Sequence, residues 1–235
     1  MEHYKKEEME TEEESEESQR EKDKKSNRNL MIFFIAVFLM IALILSIRFF
    51  MPVNKIYTLD EMFEKTLGGE TSATNYLYNG YVFVEFDGIW FTELQNENNI
   101  FDIQFRFGPK QLENVSIEGQ LKKNIQDYNQ SYITFDPTYS NRFQYINIAA
   151  IEISKKLIQT LGVVPIAACT RNETEACSTR PILNCGDGDY PIIYLKESSS
   201  TGVYIKDNCI ILQGSDMEIV RAADRWLYQQ YGIMK

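Results

Sequence analysis

The chain has 235 residues with 44% apolar and 25% charged side chains, and a net charge of −10. That length allows one or two domains. The acidity argues against a nucleic-acid partner, whose phosphates need Lys and Arg. The sole histidine, His3, lies at the extreme N-terminus. Ser-His-Asp, Cys-His and histidine-metal chemistry are thereby excluded for the rest of the chain.

Charge and hydropathy divide the sequence into three segments. Residues 1–29 carry 11 acidic and 7 basic side chains in a low-complexity run, "EEMETEEESEESQREKDKKSNR". Such a tail cannot bury an apolar core and is expected to be disordered and solubilising, or to dock a partner. Residues 30–51 are almost wholly apolar. The run "LMIFFIAVFLMIALILSI", Leu30 to Ile47, contains one Ser and no charge. As a helix it would cover about 27 Å, close to the hydrocarbon thickness of a bilayer. Residues 30–51 are therefore expected to form a transmembrane helix, with the lipid bilayer as partner and Arg48 snorkelling to the head groups. The run is too long for a signal peptide's apolar region, and "RFFMPVNK" offers no small-residue cleavage site, so an uncleaved signal anchor is expected. Arg20, Lys22, Lys24, Lys25 and Arg28 crowd its N-terminal flank, against the more scattered Arg48, Lys55 and Lys65 beyond it. That bias places the N-terminus in the cytoplasm and residues 52–235 outside, in a single-pass topology.

All four cysteines, Cys169, Cys177, Cys185 and Cys209, follow the apolar run. An even number on an oxidising side favours disulfides over free thiols or a four-thiolate metal site, and no CxxC spacing points to zinc. Three connectivities are open. Cys169–Cys177 with Cys185–Cys209 is favoured, because the first pair closes the short polar loop "CTRNETEAC". Asn114, Asn129 and Asn172 each begin an N-x-S/T sequon on the same side, which makes them candidate glycosylation sites.

Beyond Pro52 the pattern mixes strands and helices. "YTLDEMFEKTLGG" reads as a short helix with a Thr58–Glu61 capping box and a stop at Gly68. "NYLYNGYVFVEFDGIWFTEL" reads as a β-hairpin turning at Asp87-Gly88, with Val82, Val84 and Phe86 on one face and Tyr81, Phe83 and Glu85 on the other. "IFDIQFRFGP" continues as a strand with Phe101, Ile103, Phe105 and Phe107 on one face, either core or an aromatic ligand surface. "SYITFDP" is a further strand. "INIAAIEISKKLIQTLG" is an amphipathic helix: Ala150, Ile153, Leu157 and Leu161 form its stripe, Ile151 and Ile158 flank it, and Glu152, Lys155, Lys156 and Gln159 face out. After the Cys-bearing region come the strands "PIIYLKE", "GVYIK" and "CIILQG". The last leads into a helix opened by a Ser215–Glu218 capping box and closed by Gly232. Its buried positions are expected to be Ile219, Ala223 and Trp226, with Val220, Leu227 and Tyr231. The fold class is α+β, with two subdomains meeting near Gly162 as an option.

Two carboxylate pairs are the candidates for catalysis. Glu85 and Asp87 lie on one strand face, and Asp187 and Asp189 lie in "CGDGDY". A glycoside hydrolase needs two carboxylates at a fixed separation across a cleft. Turn and loop chemistry accounts for both pairs more simply, and "CGDGDY" lacks the rest of a calcium loop. No cofactor or metal is expected. The stretches "PIAACTRNETEACSTRPI", "PIIYLKE" and "DNCIILQGSDMEIVRAADRWLYQQYGIM", with "GYVFVEFDGIWFTEL" and "YITFDP", resemble a pattern in uncharacterised single-pass proteins of small-genome archaea. The resemblance implies a cell-envelope location in an archaeon, and no activity. The sequence is read as a membrane-anchored extracytoplasmic binding or scaffolding protein with an envelope protein as possible partner, rather than an enzyme. The alternatives are a carboxylate-based envelope glycan hydrolase and a signalling device with the acidic tail as its output.

Overall fold

A computed structural model describes residues 31–47, 57–96, 99–138 and 143–235. The charged tail 1–29, Leu30 and the stretch 48–51, all named above, lie outside the described residues. The chain separates into two units, Met1–Ile56 and Tyr57–Lys235.

In the first unit, residues 31–47 form helix α1. Its large apolar side chains are exposed on every side, among them Phe38 at 72% and Met31 at 66%. Among the described residues no helix is long and apolar enough to cross a membrane. The expected span of 30–51 continues past both ends of α1 into residues that are not described.

The second unit is α+β. Helix α2 (Leu59–Leu67) opens it with the expected capping box: the Glu61 amide donates to Thr58 Oγ1, and the Thr58 amide donates to the Glu61 carboxylate. Four antiparallel strands follow as a meander, β1 (Asn75–Tyr78), β2 (Tyr81–Phe86), β3 (Ile89–Asn96) and β4 (Asn99–Phe105). The stretch expected to be one hairpin is thus three strands. It turns twice, at Asn79-Gly80 and Asp87-Gly88, and all four of these residues have positive φ. Each is a two-residue turn of the type whose twist matches antiparallel strands.

The second sheet has the order β5-β9-β10-β8-β6-β7. Its strands are β5 (Ser116–Glu118), β6 (Gln130–Phe135), β7 (Val164–Ala167), β8 (Ile192–Glu197), β9 (Gly202–Lys206) and β10 (Cys209–Gly214). All its pairings are parallel except β9 with β10. Helix α3 (Phe143–Lys156) runs on into a π turn, Leu157–Leu161, and makes the crossover from β6 to β7. Gly162, at φ 68°, ends the π turn inside this unit. Helix α4 (Glu218–Gln230) follows β10.

The two sheets sandwich α3 and α4. Register puts Ile133, Ile193, Leu195, Ile210 and Leu212 on one face of the second sheet, and all five are buried. The first sheet presents Tyr76, Phe83 and Phe105 to α4, where the Phe105 and Tyr228 rings stack with centroids 4.1 Å apart and Phe83 meets Tyr228 edge-on. Val84, on the opposite face, is buried too, because α2 covers that side through Phe63 and a 2.8 Å hydrogen bond from Asn75 Nδ2 to Thr66 Oγ1.

Two helix readings need correction. On α3, Lys156 is buried and Glu152 half-buried, whereas Ile151 and Ile158 are exposed. The helix is covered on two sides, by β8 and by α4, so a single apolar stripe does not describe it. At α4 the N-cap is Met217, which makes no side-chain cap bond, in place of the expected Ser215–Glu218 box. The Ser215 carbonyl accepts the Glu218 amide at 2.9 Å, while the Glu218 carboxylate accepts from Thr201 Oγ1 and pairs with Arg221. The C-terminus is a Schellman motif: the Gly232 amide donates to Gln229 and the Ile233 amide to Tyr228.

Tyr228 Oη donates to the Phe107 carbonyl at 2.8 Å, in a fully buried position. Tyr228→Phe leaves that carbonyl without its donor, and urea denaturation should show a loss of about 1–3 kcal/mol. An unchanged midpoint would mean the bond contributes nothing to holding the first sheet on α4.

Candidate functional site

One concave site lies where the first sheet meets the helical layer. It is a cleft of about 560 Å³, within the usual range for ligand pockets. Three half-buried rings line it: Tyr81 at the start of β2, Phe101 in β4 and Tyr231 at the end of α4. Leu94 stands opposite Phe101 in the strand register. Four primary amides, Gln95, Gln126, Gln159 and Gln230, complete the polar lining. Among the described residues, none that lines the cleft carries a charge.

One wall is the π turn, which presents residues 158–161 to the cleft. The Thr160 and Tyr231 hydroxyls lie 2.7 Å apart and share a hydrogen bond across the α3–α4 junction. Burial raises the Tyr231 phenol well above its ordinary value, so it stays protonated and able to donate. π turns are rare and recur at functional sites.

Behind the cleft lies a buried polar cluster. Asp224, fully buried, accepts the amides of Arg106 and Phe107 on Oδ2 at 3.0 and 3.1 Å. Among the described residues its Oδ1 has no hydrogen-bond partner. Lys156 Nζ pairs with Glu152 at 2.7 Å and sits over the Phe105 ring, and Arg106 pairs with the other Glu152 oxygen at 3.3 Å. Burial pushes the Asp224 carboxyl up to about 7, against the lowering influence of Lys156 and the two amides.

The sequence-derived candidates sit elsewhere. Glu85 is half-buried in β2 and Asp87 is exposed in the turn after it. Asp187 and Asp189 are exposed in the loop before β8, where Asp187 Oδ2 accepts the Asn184 amide at 2.7 Å. None of the four lines the cleft. Among the described residues no group of His, Cys, Asp and Glu could hold a metal ion. Cys169 is bonded to Cys177 and Cys185 to Cys209. Asn114, Asn129 and Asn172 are exposed, and Asn114 Oδ1 accepts from Arg221 at 2.9 Å.

Of the cleft residues, Phe101 alone belonged to a stretch whose aromatic alternation suggested a ligand face. The others come from separate strands, the π turn and the end of α4. Asp224 carried a signal that was overlooked: it falls four residues after Val220, within the buried stripe of α4. No protein-family model, curated protein or solved structure matches the chain.

Asp224 sets a pH dependence with a definite sign. Its folded pKa is raised from 3.8 to about 7, so the folded state holds the proton more tightly than the unfolded chain does. The stability from this group is fully present below pH 3.8 and is lost as pH rises through about 7. Compared with Asp224→Asn, the parent should lose about 2 kcal/mol between pH 5 and 8 in thermal or urea denaturation. Parallel pH profiles for the two proteins would show that Asp224 is ionised throughout.

Proposed function

We propose that the chain is a single-pass cell-envelope protein whose residues 57–235 form an extracytoplasmic binding or scaffolding module. The observation that carries this reading is the pairing of all four cysteines into two disulfides, which requires an oxidising compartment in the ordinary case. Helix α1 supports it. A helix whose large apolar side chains are exposed on every side needs an apolar surround. The basic residues before it favour a cytoplasmic N-terminus. The three exposed sequons fall on the same side as the disulfides.

Binding is favoured over hydrolysis by the separation of cleft and acids. Among the described residues, no carboxylate lines the cleft. Of the four candidate acids, Glu85 lies in β2, Asp87 in the turn after it, and Asp187 and Asp189 in a loop, and none of them lines the cleft.

The test is a topology measurement on the full chain in intact membranes, using a membrane-impermeant thiol reagent before and after impermeant reduction. Labelling that appears only after reduction, in closed membranes, is the expected result. Cysteines that react only once the membrane is breached would overturn the placement, as would recovery of the chain in the soluble fraction.

A further inference from the structure

We propose that the cleft between the first sheet and the π turn binds a neutral carbohydrate. This inference rests on the binding reading above and names its ligand class. The lining combines two chemistries that match a sugar and little else. Tyr81, Phe101 and Tyr231 line one cleft with half-buried rings, and aromatic rings can stack on the apolar C–H faces of a pyranose. Gln95, Gln126, Gln159 and Gln230 surround them with amides. Each amide can donate two hydrogen bonds and accept two, the match for neutral hydroxyls that both donate and accept.

Other small-ligand classes fit less well. An anionic or cationic ligand would lose hydration with no opposite charge in the lining to replace it. A wholly apolar ligand would cover the amides and leave them unpaired. Among the described residues no acid that could cleave a glycosidic bond lines the cleft, which suits a site that holds the sugar. The π turn supplies a second, independent observation. It places Ile158 and Gln159 at the opening, where Ile158 is 58% exposed, while Thr160 is fixed by its bonds to the Lys156 carbonyl and Tyr231. The wall of the cleft is thus prearranged, which lowers the ordering cost of binding.

The test uses the full chain in a non-glycosidic detergent. Titration calorimetry and saturation-transfer NMR would follow neutral gluco-, manno- and galacto-oligosaccharides. Oligogalacturonate serves as the acidic counterpart and a proline-rich peptide as the rival aromatic-groove ligand. Binding of at least one neutral series is expected, with oligogalacturonate weaker. Gln95→Ala and Gln159→Ala alter side chains exposed at the cleft. Each should weaken binding about 5- to 10-fold with an unchanged melting temperature. Phe101→Ala should weaken it at least as much, and Asp187→Asn should leave it unchanged. Sugar binding indifferent to the cleft variants would overturn the site. A preference for the acidic oligosaccharide would overturn the ligand class. Peptide binding lost in the same variants, without sugar binding, would remove the sugar and keep the binding module. A folded protein that binds none of these probes would overturn the carbohydrate site and leave the extracytoplasmic placement, tested by the topology measurement, standing.

Discussion

Two side chains one turn apart on α4 hold the first sheet to the rest of the domain. Asp224 accepts the backbone amides of Arg106 and Phe107, and Tyr228 donates to the Phe107 carbonyl. The chain leaves β4 at this point and must bury its polar backbone without a neighbouring strand to pair it. The i, i+4 spacing of the two residues puts an acceptor and a donor on one helix face. Gly108 follows at once. A Cβ there would lie 2.7 Å from Tyr76 Oη and 2.8 Å from the Trp90 ring, so the backbone passes where no larger residue fits. A carboxyl is a costly choice for a fully buried acceptor. Its compensation is the pair of amide bonds and the Lys156 ammonium, while Glu152 works against it.

That attachment also shapes the cleft. With Tyr228 stacked on Phe105, the next turn of α4 carries Tyr231 to the cleft edge, where it contacts Phe105 edge-on and reaches Thr160. The π turn moves the end of α3 out of the regular helical register just where α4 ends. The rigid elements therefore fix two walls, and the exposed amides Gln95, Gln126 and Gln159 form the adaptable rim. A cleft walled by packed elements and rimmed by exposed amides suits the proposed ligand, since its shape is set in advance and its hydrogen bonds can adjust.

Local chemistry in the sequence carried over well into the structure. Thr58 with Glu61 caps α2, Asp87-Gly88 turns β2 into β3, and Gly232 closes α4, because each of these depends on residues a few positions apart. Four strands of the second sheet, β6, β8, β9 and β10, were recognisable for the same reason, whereas the short edge strands β5 and β7 were not. Asn79-Gly80 holds the same turn signal as Asp87-Gly88. What the sequence concealed is non-local. The inward placement of Lys156 and Glu152 follows from α3 being covered on two sides. The unpaired Oδ1 of Asp224 follows from three elements closing over it. The cleft draws on β2, β3, β4, α4 and the π turn, and no one-dimensional period brings those residues together.

The two disulfides bear on one weakness of the topology. A parallel crossover is usually made by a helix, which packs on the sheet and repays the closing of a long connection. The step from β6 to β7 follows that pattern through α3. The step from β7 to β8 does not: residues 168–191 contain only a 3-10 turn at Glu175–Cys177 and an isolated bridge from Cys169 to Ile182. Both disulfides act here. Cys169–Cys177, separated by 8 residues, closes the first part of the connection, and Cys185–Cys209, separated by 24, ties the second part to the start of β10. Loop-closure entropy puts their contributions at about 2.5 and about 3.5 kcal/mol, a large share of the stability of an ordinary domain. A crossover that depends on covalent staples instead of a packed helix holds its shape only where thiols stay oxidised. The fold and the proposed extracytoplasmic placement therefore make the same demand on the compartment.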